Sequence, residues 1–270
     1  MTEPASTLAT KKLEGKVAIV TGGASGIGEA TAHLFAENGV KAVVVADIQD
    51  DKGRLVTESI GSHQCSYFHC DVSDENQVKA LVEWTVQTYG QLDIMFSNAG
   101  IVSPSDQTVL NLDFSQFDRL FDINARGMAV CVKHAARVMV EQGVKGNIVC
   151  TTSVAASRGG VIRTDYIMAK HAVLGLVRCG SQQLGVHGIR VNSVSPSAIA
   201  TPLTSNCVRS TRGKDIGKVY GPLTSLKGIA LTVRHVAEAV LFLVSQDSAF
   251  ITGHDLSVDG GLISLPGPNN

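Results

Sequence analysis

The chain alternates short, uniformly apolar runs with longer stretches that are apolar at every third or fourth position. Residues 17–20 (VAIV) form the first run, of the kind that suits a strand buried on both faces. Residues 21–28 cannot extend it. Residues 29–37 then read as a helix, with Ala30, Leu34 and Phe35 at helical spacing and Gly39 as its stop. Further strands are expected at 41–46 (KAVVVA), 66–70 (SYFHC), 92–96 (LDIMF), 146–152 (GNIVCTT), 189–194 (IRVNSV), which Ser195-Pro196 breaks, and 255–258 (DLSV). After the third strand Ser73 is the expected cap of a helix striped by Val78, Leu81, Val82, Thr85 and Val86. Residues 114–142 read as one long helix with Phe117, Leu120, Phe121, Met128, Val132 and Ala135 on one face. Residues 166–184 and 232–245 read as two more.

Strand–helix alternation of this kind predicts an α/β domain with a parallel, doubly wound sheet. A length of 270 residues suits one such domain. The expected layout is a tail over 1–12, a domain over 13–263 and a tail over 264–270. The poorly periodic stretch 197–232 is its lid. Ligands gather outside the carboxyl ends of parallel strands, where Asp47, Asp71, Asn98, Ser153 and Pro196 all fall.

Between the first strand and helix lies Thr21-Gly22-Gly23-Ala24-Ser25-Gly26-Ile27-Gly28. Such a turn aims free backbone N–H groups and a helix dipole at one point, a seat for phosphate. Gly22, Gly26 and Gly28 let a pyrophosphate approach the backbone. The second strand ends at Asp47, about 20 residues past the turn, where a ribose-binding carboxylate is expected. That carboxylate would repel a 2′-phosphate, and Gly23, Ala24, Ser25 and Ile48 offer no cation, so the cofactor is expected to be NAD.

Tyr166 and Lys170 share one helix face, four residues apart, after a strand that ends in Thr151-Thr152-Ser153. A lysine ammonium and a cationic nicotinamide beside a phenol lower its pKa from about 10, which makes Tyr166 a candidate base for an alcohol. Ser153 is placed to hold the substrate oxygen. A net charge of −1 gives no reason to expect nucleic acid or an anionic membrane as partner. Cys65, Cys70, Cys131, Cys150, Cys179 and Cys207 show no metal spacing, so no metal is expected and reduced thiols are. With no signal-peptide pattern and no membrane-length apolar run, the expected location is cytoplasmic.

TGGASGIG at 21–28, Asp71-Val72, NAG at 98–100, Asn124, Ser153, YIMAK at 166–170 and NSVSP at 192–196 together resemble the short-chain dehydrogenase/reductase family, a Rossmann-type fold, from about Leu13 to Gly261. The resemblance implies a catalytic tetrad of Asn124, Ser153, Tyr166 and Lys170, with Asn124 holding a relay water and Lys170 also meeting the nicotinamide ribose. It implies a cofactor site of Gly22, Ser25, Gly26, Ile27, Gly28, Asp47, Ile48, Asp71, Val72, Asn98, Ala99, Gly100, Tyr166, Lys170, Ile199 and Thr201. It also implies a homotetramer joined by the long helices.

KHAVLGL at 170–176, GIRVNSVSP at 188–196, ATPL at 200–203 and ITGHDLSVDGG at 251–261 resemble the plant specialised-metabolism branch of that family, most nearly its nepetalactol-related members. The chain departs from the broader pattern at Ala169 and Ser197, and Arg163 and Asp165 are unusually polar before Tyr166. The expected function is oxidation of a cyclic terpenoid alcohol or lactol with hydride transfer to NAD+. The alternative is a non-redox cyclase that forms a nepetalactol-type iridoid from a reactive enol or dialdehyde while holding NAD. An apolar substrate is expected to lie under Ile199, Leu203, Leu223, Leu226 and Ile229.

Overall fold

A computed structural model of the chain describes residues 11–205 and 219–263. The expectations for 1–10, for 206–218 with Cys207, and for 264–270 lie outside the described residues. Seven strands are present among the described residues: β1 (Val17–Thr21), β2 (Ala42–Asp47), β3 (Cys65–His69), β4 (Ile94–Ser97), β5 (Asn147–Thr151), β6 (Arg190–Pro196) and β7 (Asp255–Val258). They form one parallel sheet in the order β3-β2-β1-β4-β5-β6-β7. The helices are α1 (Gly26–Glu37), α2 (Asp50–Ile60), α3 (Glu75–Tyr89), α4 (Phe114–Phe121), α5 (Met128–Glu141), α6 (Thr164–Leu184), α7 (Pro202–Ser205) and α8 (Val233–Val244).

The continuous apolar runs are continuous because the sheet is covered twice. On one face Leu34 and Phe35 of α1 and Val236 and Val240 of α8 pack on Val20, Val43 and Val45. On the other, Leu81 of α3, Met128 and Cys131 of α5 and Val173 of α6 pack on Ile19, Val44 and Ile148. Each fully buried Leu, Val or Phe contributes about 1.5–3 kcal/mol relative to exposure. β1 pairs with β2 on one side and β4 on the other, so the strand order reverses there and a crevice opens beyond their ends.

Four local expectations change. The helix α2 is added; only Gly53 and Val56 of it are buried, too sparse a stripe to read from the sequence. Asp74, not Ser73, caps α3 by accepting from Asn76 N. The long helix 114–142 is two helices joined by a π turn over Asp122–Gly127. β6 runs through Ser195-Pro196, because Pro196 lies at the strand's last position beside Val258, where a missing N–H removes little of the ladder.

Candidate active site

The ends of β1 and β4 are laced together by polar side chains. Thr21 Oγ1 accepts from the backbone of Asn98 (2.9 Å) and Ala99 (3.2 Å), while Asn98 Nδ2 donates to Thr21 O at 3.1 Å. Thr151 Oγ1 donates to Asn98 Oδ1 at 2.9 Å and ties in β5. Above this lacing Gly22 and Gly26 take left-handed conformations, φ 64° and 58°. A Cβ at Gly28 would lie 2.2 Å from Gly22 O, and one at Gly22 would lie 2.8 Å from Ala99 Cα. The turn therefore closes only on glycine. Asp47 braces it from β2: its Oδ2 accepts from Ala24 N at 3.1 Å and its Oδ1 from Gln49 N at 3.0 Å.

A cleft of about 1000 Å³ opens over this turn and along the ends of β4, β5 and β6. Gly22, Ser25, Gly26, Ile27, Asp47, Ile48, Asp71, Val72, Asn98, Ala99, Gly100, Ser153, Tyr166, Lys170, Ile199 and Thr201 all lie on its wall. Gly28 and Asn124 lie behind it. Asn124, fully buried in the π turn, accepts from Ile101 N through Oδ1 and donates to Ile101 O through Nδ2, both at 2.8 Å. Its side chain is thus committed to fixing the 100–101 wall, and a π turn at such a spot is a common mark of a functional site.

Tyr166 stands two residues inside α6, and Ser153, two residues past the end of β5, lines the same cleft and favours the phenolate form of Tyr166. The Lys170 ammonium, one turn on, lies 5.6 Å from the centre of the Tyr166 ring and donates to Thr151 O at 2.7 Å. Burial dominates both groups. It pushes the phenol above its usual pKa, against the opposing pull of the Ser153 hydrogen bond and the Arg163 charge. It also pulls the Lys170 ammonium down to about 8. The sequence-based expectation of a lowered phenol pKa is therefore reversed in the chain by itself, because desolvation of a phenolate outweighs its protein neighbours.

A family model described as enoyl-(acyl carrier protein) reductase matches residues 22–263. The chain is 62% identical over 256 residues to (−)-isopiperitenol/(−)-carveol dehydrogenase, mitochondrial, of Mentha piperita, covering 95% of this chain and 96% of that protein. It is also 62% identical to a (+)-cis,trans-nepetalactol synthase of Nepeta racemosa, over 95% and 96% of the two chains. Among solved structures, a short-chain type dehydrogenase/reductase from Mycobacterium marinum superposes with a TM-score of 0.85 at 32% identity, over 94% of this chain and 98% of that one. The chain belongs to the short-chain dehydrogenase/reductase family. It is thus an enzyme of an oxidoreductase family whose fold serves a nicotinamide cofactor. The left-handed glycine turn, with no room for a Cβ at Gly22 or Gly28, fits the pyrophosphate of such a cofactor.

Within this family frame the substrate end holds features that the sequence did not disclose. The apolar wall comes from Ile101, Val102, Val154, Val161, Ile162 and Ile167 together with Ile199 and Leu203. Leu223, Leu226 and Ile229, expected there, are 50–60% exposed and lie off the wall. Ser197 is buried on the wall, and its hydroxyl has no hydrogen-bond partner among the described residues. Asp255 of β7 accepts from Thr152, Ser193 and Ser195 at 2.7–2.9 Å, and so braces the strand ends that carry Ser153 and Pro196. Isolated Ser and Thr codes along a strand give no sign of such a network; only the register reveals it.

Proposed function

We propose that the protein oxidises a cyclic terpenoid alcohol or lactol with NAD+, through Tyr166 as general base. The observation that carries this reading is the convergence of Ser153, Tyr166 and Lys170 on one wall of a cleft whose other end is the glycine turn. Bound NAD+ would supply the hydride acceptor. Ser153 orients the substrate hydroxyl, and Tyr166 takes its proton as the carbinol carbon gives up hydride and the C=O bond forms. Lys170 anchors to Thr151 O and faces the ring of Tyr166, so it fixes the base and offers a donor to the ribose. Asn124 acts from behind by setting the Ile101 peptide.

Preference for NAD over NADP rests on Asp47, a buried carboxylate at the cleft edge with no arginine or lysine among Gly23, Ala24, Ser25, Ile48 and Gln49. The apolar wall favours a terpenoid skeleton, in keeping with the names of the Mentha and Nepeta relatives. In the same reading residues 13–263 are the working domain with its lid over 197–232. Four chains join through the α4–α6 region, where Phe114 and Met168 are exposed. The location is cytoplasmic, which suits Cys65, Cys70, Cys131 and Cys150 as buried free thiols; the Mentha relative's name places that protein in mitochondria.

A second reading, ring closure of an enol or dialdehyde without net redox change, is favoured by the equal identity to the nepetalactol synthase. A panel of terpenoid alcohols and iridoid lactols incubated with NAD+ tests both, with NADH followed by absorbance and organic products by chromatography. NADH with matching carbonyl product is the expected result. Cyclised product without NADH would favour the second reading.

A further inference from the structure

Arg163 occupies a backbone conformation that an arginine seldom adopts. It is the residue before α6, with φ 66°, in the left-handed region where glycine is the ordinary occupant. A bulky side chain persists there only when its surroundings impose the conformation, and such residues cluster at functional sites. The surroundings are specific. Arg163 N donates to Asp106 O at 2.6 Å, and Thr164 N donates to Gln107 O at 2.9 Å. Gln107 is itself left-handed at φ 48° and buried, held by Asp113 N on its Oε1 and by Ser105 Oγ beside its Nε2. Ser103 Oγ donates to the buried Asp165 carboxylate, whose other oxygen accepts from Tyr166 N at 2.8 Å. Residues 103–107 thus clamp 163–165 at three successive positions. The clamp fixes the first turn of α6 and sets Arg163 on the cleft wall with Tyr166, three residues on.

We propose that Arg163 is a positioning residue for the reaction: the clamped left-handed turn holds it on the cleft wall that it shares with Tyr166, where its positive charge stabilises the deprotonated oxygen that a general base needs. Tyr166 needs such a neighbour, since burial alone drives its phenol toward the neutral form. After the Ser153 hydrogen bond, Arg163 is the influence that opposes burial. The Lys170 ammonium is directed to Thr151 O and is itself disfavoured by burial. The other charged groups that face this site are Asp165 on α6 itself and, on the segments packed against α6, the cleft-lining Arg158, Arg119 and Asp122.

This inference rests on the reading of Tyr166 as the base, and the test separates the two. Tyrosinate absorbance is titrated in the intact protein, with and without NAD+, and Tyr166→Phe is subtracted to isolate the Tyr166 signal among the four tyrosines. Arg163→Gln is expected to raise the Tyr166 midpoint by about one pH unit, a tenfold loss of phenolate at a given pH, and Arg163→Lys to restore most of it. The alkaline-going limb of kcat/KM should shift by the same amount. Arg163→Gly should raise the midpoint equally while raising Tm, because glycine suits φ 66°. An unmoved midpoint in Arg163→Gln, or in Arg163→Gly should the former not fold, would overturn the proposal and leave Arg163 a part of the clamp. Full NADH formation by Tyr166→Phe would instead sink the reading of Tyr166 as base, and the midpoint shift would stand or fall separately.

Discussion

The two ends of the cleft are built on different terms. At the glycine turn the polar groups are paired inside the chain: both Asp47 oxygens accept backbone N–H groups, and Asn98 donates to Thr21 and accepts from Thr151. At the other end the Ser197 hydroxyl is buried without a partner among the described residues, Arg163 is held left-handed, and the Tyr166 phenol and Lys170 ammonium are both pushed by burial toward neutrality. On the proposed function, the first end is a finished surface for a ligand part that never changes, a pyrophosphate and its ribose. The second carries unfavourable terms that make sense where charge moves during reaction.

The comparison is broken most severely at Gly28. Gly28→Ala sets a Cβ against Gly22 O and Asn98 Nδ2, backbone and a bonded side chain with no room to give. NAD affinity should fall by at least about a hundredfold, equivalent to about 3 kcal/mol, with a lower Tm. Calorimetric titration and thermal melting check this; wild-type affinity would contradict it.

The next effect lies at Lys170. The unfolded lysine keeps its proton to 10.5, whereas the folded one loses it at about 8. Between these values the unfolded chain binds more protons, so this group makes stability rise with pH, by up to roughly 3 kcal/mol across the window. Denaturant unfolding of wild type and Lys170→Met at pH 8 and 10 should show the wild type gaining on the variant. Parallel curves would remove the burial argument.

A smaller effect is expected at Asp47. Asp47→Ala should weaken NAD by about tenfold and NADP less, because the lost carboxylate both braces the turn and repels a 2′-phosphate. Equal wild-type affinities for the two cofactors would show that the paired end does not discriminate. The smallest effect is expected at Ser197, where Ser197→Ala should stabilise the protein without ligand by about 1 kcal/mol, since an orphaned hydroxyl is removed. A drop in Tm would mean that the hydroxyl is bonded after all.

The two ends also differ in how far the sequence disclosed them. The strands, the sheet class and the glycine turn were legible because apolar runs and glycine spacing are local signals; β7 matches its expected bounds residue for residue. All the expected cofactor residues except Gly28 reach the cleft wall, and Gly28 lies directly behind it. The substrate end was legible in its Ser153, Tyr166 and Lys170 codes and in Ile199 and Leu203, and little further. The strain at Arg163 depends on a loop 56–60 residues earlier in the chain, and the Asp255 network depends on strand register. Leu223, Leu226 and Ile229 misled because apolar codes in an irregular stretch carry no direction. The π turn at Asn124 was hidden by an unbroken helical pattern.

The most direct test of the account is the paired assay of wild type and Tyr166→Phe on terpenoid alcohols and lactols, with NADH and organic product measured together. The variant keeps the ring and the whole glycine-turn end, so NAD should bind as before. NADH formation should fall by about 10²–10⁴, the usual contribution of a positioned base. Undiminished NADH formation by the variant, or steady cyclised product from wild type with no NADH from any substrate, would contradict the central claim.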